Sequence, residues 1–234
     1  MSFDKQTVLV TGAAGNLGRA VADAFFERGA NLALVGRRRE ELANVYGGEN
    51  ERRLFVTADL LDTAAVEAAV KTVSARFGSI DVLCNVAGGF RMGPPVHETS
   101  DELWQSMLDV NARTVINMAR AVVPRMIAAG SGKIVNIAAM PALGGKAGMG
   151  AYSASKSATV RLTESMAAEL REQGINVNCV MPSIIDTPQN RAAMSDADPR
   201  RWVAPEQLAE VIVFLASDAA RAIHGAAVPV VGLS

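Results

Sequence analysis

Apolar residues recur along this chain at two spacings. Short runs rich in β-branched residues and leucine, TVLV from residue 7, NLALV from 31, RLFVTA from 53 and IDVLCNV from 80, alternate with longer segments of helical spacing, NLGRAVADAFFERG, REELANVY and DTAAVEAAVKTVSARFG. A short unbroken apolar run fits a strand buried on both faces, and the periodic segments fit amphipathic helices. The alternation continues with a long helical segment over about 101 to 129, strand KIVNIA, a helix carrying Tyr152 to about 173, strand NVNCVM, helix PEQLAEVIVFLAS and a last strand near AAVPVVG. This order predicts one α/β domain over residues 1–234. Its core is a Rossmann-type, doubly wound parallel sheet of about seven strands with helices on both faces. The one irregular insert, SIIDTPQNRAAMSDADPRRW at about 183–202, follows the sixth strand. Ligands bind at the carboxyl ends of strands in such sheets, so the insert is placed to act as a substrate lid.

Composition narrows the partners. Half the residues are hydrophobic, a fifth are charged and the net charge is -1, so no broad field favours nucleic acid or an anionic membrane. A small-molecule substrate is expected. Cys84 and Cys179 each lie inside an apolar run, which points to buried reduced thiols and to neither a disulfide nor a metal framework. MSFDKQ leads straight into a strand, and no apolar run nears the roughly 18 residues of a membrane span. A cytoplasmic protein is expected.

Two patterns carry chemistry. The first strand ends in TGAAGNLG, where Gly12, Gly15 and Gly18 precede a helix. Backbone N–H groups and the helix dipole at such a turn can hold a pyrophosphate. Where an acid would bond the ribose 2′-hydroxyl of NAD, after the second strand, the chain instead has Gly36, Arg37, Arg38 and Arg39. An arginine fork suits a 2′-phosphate, so NADP is expected, with NAD possible. Further on, Tyr152 and Lys156 stand four apart. On one helix face, the ammonium would lie beside the phenol and favour its phenolate, making it an acid/base near neutral pH.

Together with NVAG at 85–88, Asp59, the Asn111 of DVNAR and PSIIDTP at 182–188, these motifs resemble the short-chain dehydrogenases/reductases over essentially the whole chain. The resemblance implies an NADP(H)-dependent oxidoreductase in which Tyr152 exchanges the proton, Lys156 lowers its pKa and binds the nicotinamide ribose, and Asn111 supports a water relay. It implies nucleotide contacts from Gly12, Ala14, Gly15, Asn16, Leu17 and Gly18; from Arg37, Arg38, Asp59 and Leu60; from Asn85, Ala87 and Gly88; and from Pro182, Ile185 and Thr187, beside Tyr152 and Lys156. The family is usually dimeric or tetrameric, so a homodimer or homotetramer pairing the 101–129 and Tyr152 helices is implied.

Three positions depart from the family's pattern. Asn16 stands for a glycine, and asparagine tolerates positive φ. Pro182 is followed by Ser183 in place of glycine. Ala139 occupies the position thirteen residues before the tyrosine that normally carries the catalytic serine. Ser183 ranks first as the replacement hydroxyl, Ser153 is expected on the helix surface, and Asn190 and Arg191 could reach in from the lid. The segment from Asp186 to Trp202, with the absent serine, is similar to quinonoid dihydropteridine reductases. A reductase of that kind, acting on a conjugated imine, is the enzymatic alternative. A catalytically weak nucleotide sensor is the non-enzymatic one.

Overall fold

A computed structural model describes residues 1–234. Seven strands form one parallel sheet: β1 (Thr7–Thr11), β2 (Asn31–Gly36), β3 (Arg53–Thr57), β4 (Val82–Asn85), β5 (Gly132–Ile137), β6 (Ile175–Pro182) and β7 (Ala227–Val230). Their spatial order is β3-β2-β1-β4-β5-β6-β7. The unbroken apolar runs reflect burial on both faces. Val8 and Val10 of β1 and Leu32 and Leu34 of β2 enter one core, while Leu9, Ala33 and Val35 enter the other.

The first core is covered by α1 (Asn16–Glu27) and α8 (Pro205–Ala216), with α2 (Arg39–Tyr46) at its margin. The second is covered by α3 (Thr63–Phe77), α5 (Thr114–Ala129) and α6 (Gly150–Leu170). Helix starts follow from local chemistry. Asp62 accepts from the amides of Ala64 and Ala65 to open α3, and Ser100 accepts from Leu103 to open α4 (Asp101–Leu108); each cap satisfies amides that the helix itself cannot. No helix is long and apolar enough to cross a membrane.

The strand order reverses between β1 and β4, which pair directly from Val8 and Val82 onward. Such a switch point opens a crevice at the carboxyl ends of the strands. Two details differ from the sequence reading. The long helix over 101–129 is α4 and α5 joined by a π turn at Asp109–Arg113, the kind of insertion that re-aims side chains. The 183–202 insert is not irregular throughout: Thr187 accepts from the Asn190 amide and Pro188 opens a short helix α7 (Pro188–Ala193), while Trp202 is buried at 6 % exposure.

Candidate active site

At the end of β1, Gly12 has φ +62°, and a Cβ there would stand 2.9 Å from the Ala87 Cα. A Cβ on Gly18 would fall 2.2 Å from the Gly12 carbonyl oxygen, so only glycine lets the turn pass this close to its neighbours. Gly15 is the extended N-cap of α1 and no side chain caps that helix. Its first amides are therefore free to meet an anion, and the dipole favours one. Asn16 is already helical, with no positive φ, so its tolerance of that conformation is not needed. Its amide instead donates to Gln189 Oε1 of α7 at 2.8 Å. Thr11 Oγ1 accepts from the Ala87 amide at 3.1 Å, and the Tyr46 hydroxyl donates to the Ala13 carbonyl at 2.7 Å. Neither residue was expected from the sequence, yet both fix the turn.

The three arginines after β2 separate by their partners. Arg38 is paired with Glu41 and Arg39 with Glu49, while Arg37 is exposed and belongs to no ion pair. Arg38 thus already holds a carboxylate at the surface, and Arg37 does not. After β3, the Asp59 carboxylate accepts from the Leu61 amide at 2.9 Å, and the Leu60 carbonyl accepts from Asn117 at 2.8 Å.

Around Tyr152, helix geometry and buried polar contacts converge. Lys156 is 5 % exposed and its Nζ donates to the Ile137 carbonyl at 2.7 Å. Burial lowers its pKa to about 8, with the Cys179 thiol pulling the other way. Burial pushes the Tyr152 phenol up to about 12. This reverses the expected direction: the ammonium is directed at Ile137, and desolvation governs the tyrosine. Asn111, in the π turn, donates to the Gly89 carbonyl and to Ser155 Oγ, each at 3.0 Å, and accepts from the Gly89 amide at 3.0 Å. A Cβ on Gly88 would lie 2.9 Å from Asn111 Oδ1 and 3.2 Å from Lys156 Nζ, so Gly88, Asn111 and Lys156 meet at one point.

Behind them runs a buried polar chain. Asn85 donates to Asn136 at 2.8 Å, Asn136 to Thr163 at 2.9 Å, Thr163 to the Thr159 carbonyl at 2.8 Å, and Thr159 to the Asn111 carbonyl at 3.0 Å. Asn85 thus spends its side-chain amide inside the sheet. Ser155, Thr159 and Asn136 were missed because single polar residues in an apolar strand or helix carry no motif.

Ala138 and Ala139 close β5, buried at 1 % and 5 % exposure. Of the substitute hydroxyls, Ser183 donates to the Val231 carbonyl at 2.9 Å and lies 2.8 Å from Ser234 Oγ. Its hydroxyl is thus engaged with the C-terminal segment. Ser153 is not on the surface: it is 6 % exposed and its hydroxyl has no partner. In the 183–202 insert, Asn190 donates to the Ile185 carbonyl at 2.8 Å and Arg191 pairs with Asp186 at 2.6 Å. A cleft of about 750 Å³ between α1, α7 and α8 includes Asn16, Thr187 and Arg191 but not Tyr152.

Residues 6–198 match the family described as short chain dehydrogenase. The chain is 37 % identical to a D-threitol dehydrogenase of Mycolicibacterium smegmatis, over 96 % of this chain and 90 % of that one. It is 35 % identical to a cis-4-hydroxycyclohexanecarboxylate dehydrogenase of Sinomonas cyclohexanicum, over 99 % and 97 %. Among solved structures, an NAD+-bound xylitol dehydrogenase superposes with a TM-score of 0.91 at 28 % identity, covering 99 % of this chain and 100 % of that one.

Proposed function

Since the chain belongs to the short-chain dehydrogenases and is an NAD(P)-dependent oxidoreductase acting on alcohol or carbonyl groups, we propose that it prefers NADP(H) and uses Tyr152 as the proton donor and acceptor. Its substrate is a small carbonyl, alcohol or imine-like compound. The observation that carries this reading is the meeting of Gly88, Asn111 and Lys156 beside the Tyr152 helix.

The residues fit a dinucleotide. The glycine turn is a cradle that a Cβ at Gly12 or Gly18 would fill, and the uncapped start of α1 offers amides to a pyrophosphate. Arg37, free of ion pairs, supports a 2′-phosphate contact; Asp59 and Leu60 would adjoin the adenine, and Pro182, Ile185 and Thr187 the nicotinamide. When bound, the cofactor supplies or takes up a hydride at its nicotinamide ring.

The chain's own residues manage the proton and the charge. In reduction, the Tyr152 phenol donates its proton to the substrate oxygen as the carbonyl carbon gains a hydride, giving the alcohol and leaving a phenolate. Lys156, one turn further along the same helix, would turn its cation toward that phenolate and bind the ribose when the nucleotide is present. Asn111 acts as a positioning residue, pinning the Gly89 backbone from both sides. Oxidation runs these steps backwards.

A quinonoid pterin or other imine is the second reading. It is supported by Ala139, whose buried methyl leaves no hydroxyl to bond a substrate carbonyl. Ser153, buried and unpartnered, is the better substitute donor than Ser183. A homodimer or homotetramer formed through α4, α5 and α6 belongs to the same proposal, supported by exposed Trp104 and Ile127. Following NADPH and NADH oxidation across carbonyls, imines and quinonoid dihydropterin tests the assignment. Nucleotide binding with no turnover across that panel would favour the sensor.

A further inference from the structure

Two loops frame Tyr152. The segment after β4 and the segment after β5 are clasped together, with the Gly93 amide donating to the Gly148 carbonyl at 2.8 Å. Met92 lies over Gly148 and Val96 over Gly150, since a Cβ on either glycine would come within 3.0 Å of those side chains. Phe90 meets the Tyr152 ring edge-on, at 4.9 Å between centroids and 86° between planes. Phe90, against the phenol ring, and Met92, against the clasped second loop, are 54 % and 59 % exposed, an apolar edge beside Tyr152 that marks a ligand surface.

The same loops are unusual in what they omit. VAGGFRMGPPV (86–96) and AAMPALGGKAGMGA (138–151) contain no acid and no serine, threonine, asparagine or glutamine. Their only charges are Arg91 and Lys146. Both are exposed, and neither is among the cations held by a carboxylate. The nearest acid along the first loop, Glu98, faces His97 at 3.3 Å. The 183–202 insert adds little free polarity, because Gln189, Asn190 and Arg191 are bonded to Asn16, Ile185 and Asp186.

Resting on the oxidoreductase reading, we infer that the substrate is an apolar molecule bearing a carboxylate, with its hydrocarbon body on Phe90 and Met92 and its anion toward Arg91 and Lys146, the cations of the two clasped loops. A polyol fits less well, because the two loops offer its hydroxyls no neutral polar side chain to bond. A carboxylate gains from two cations that have no competing partner, and the apolar body gains from covering the apolar edge.

The test compares 3-oxocyclohexanecarboxylate, its neutral carboxamide and the ketose erythrulose in the nucleotide-oxidation assay, with wild type and the double variant Arg91→Gln, Lys146→Gln. The acid should exceed the amide in kcat/KM by about tenfold in wild type, through KM, and the ratio should fall toward unity in the double variant. Erythrulose should be the poorest substrate. Calorimetry with unreactive cyclohexanecarboxylate in the presence of NADP+ gives a second readout, with binding to the double variant expected to be about tenfold weaker. Ketone turnover with no preference for the acid, or with erythrulose equal to it, overturns the inference and leaves the oxidoreductase reading intact. The expected binding pattern without turnover of any ketone upholds the anion site and overturns that reading. Neither turnover nor binding overturns both.

Discussion

Lys156 Nζ donates to the carbonyl oxygen of Ile137 at 2.7 Å, and this is the ammonium's one hydrogen bond in a buried site. Its proton is released near pH 8 in the folded chain and near 10.5 in the unfolded one. Between those values the unfolded chain binds more protons, so stability rises with pH, by up to about 3 kcal/mol. Lys156→Met should lack this rise. Urea midpoints measured from pH 7.5 to 10 would check it, and a parallel rise in the variant would exclude the assignment. The Tyr152 phenol, raised by burial to about 12 from 10.0, acts oppositely and later, costing stability as pH climbs between those two values.

Tyr152→Phe should lower kcat by about 10²- to 10⁴-fold, as expected for losing a positioned proton donor. The Phe90 contact survives the change, so the fold and the nucleotide Kd should hold within a few-fold. Turnover of an identified substrate at the wild-type rate would remove Tyr152 from the chemistry.

Arg37→Ala should weaken NADPH binding by about tenfold relative to NADH, as for loss of one charge-assisted contact. Arg38→Ala should do less, because Arg38 is already paired with Glu41. Fluorescence titration of both nucleotides against both variants decides this, and equal losses for NADPH and NADH in Arg37→Ala would refute the 2′-phosphate contact.

Ala139→Ser places a hydroxyl at a position 5 % exposed. Unpaired there, it should cost about 1 kcal/mol of stability, read as a lower melting temperature. If the native substrate is a ketone, the hydroxyl should recover part of the roughly 2.7 to 4 kcal/mol such a donor contributes, visible as a higher kcat. An unchanged kcat on ketones would favour the imine reading.

The sheet was legible because parallel strands buried on both faces must be apolar without a break, as TVLV and NLALV are. The short helix of the 183–202 insert was also written in the chain: Thr187 followed by Pro188 is a cap and a helical first residue, obscured by the polar residues around it. Other features depend on distant partners and could not be read locally. Ser183 turns away because Val231 and Ser234 lie beside it. The π turn forms where Asn111 is bonded to Gly89 and Ser155, contacts no helical periodicity announces. The direction of the Tyr152 shift was missed for a similar reason, since four-residue spacing says which side chains are neighbours and not which carbonyl Lys156 will choose.

The buried chain from Asn85 through Asn136, Thr163 and Thr159 to Asn111 also acts as an index. Dispersion contacts tolerate a helix sliding or rolling by a fraction of a turn, whereas hydrogen bonds between fixed donors and acceptors do not. Rolling α6 by one residue would leave Asn136 and the Asn111 carbonyl without their partners in a dry core. The orientation of α6 that sets Tyr152 against Phe90 is therefore singled out from its neighbours by mismatch, before any ligand arrives.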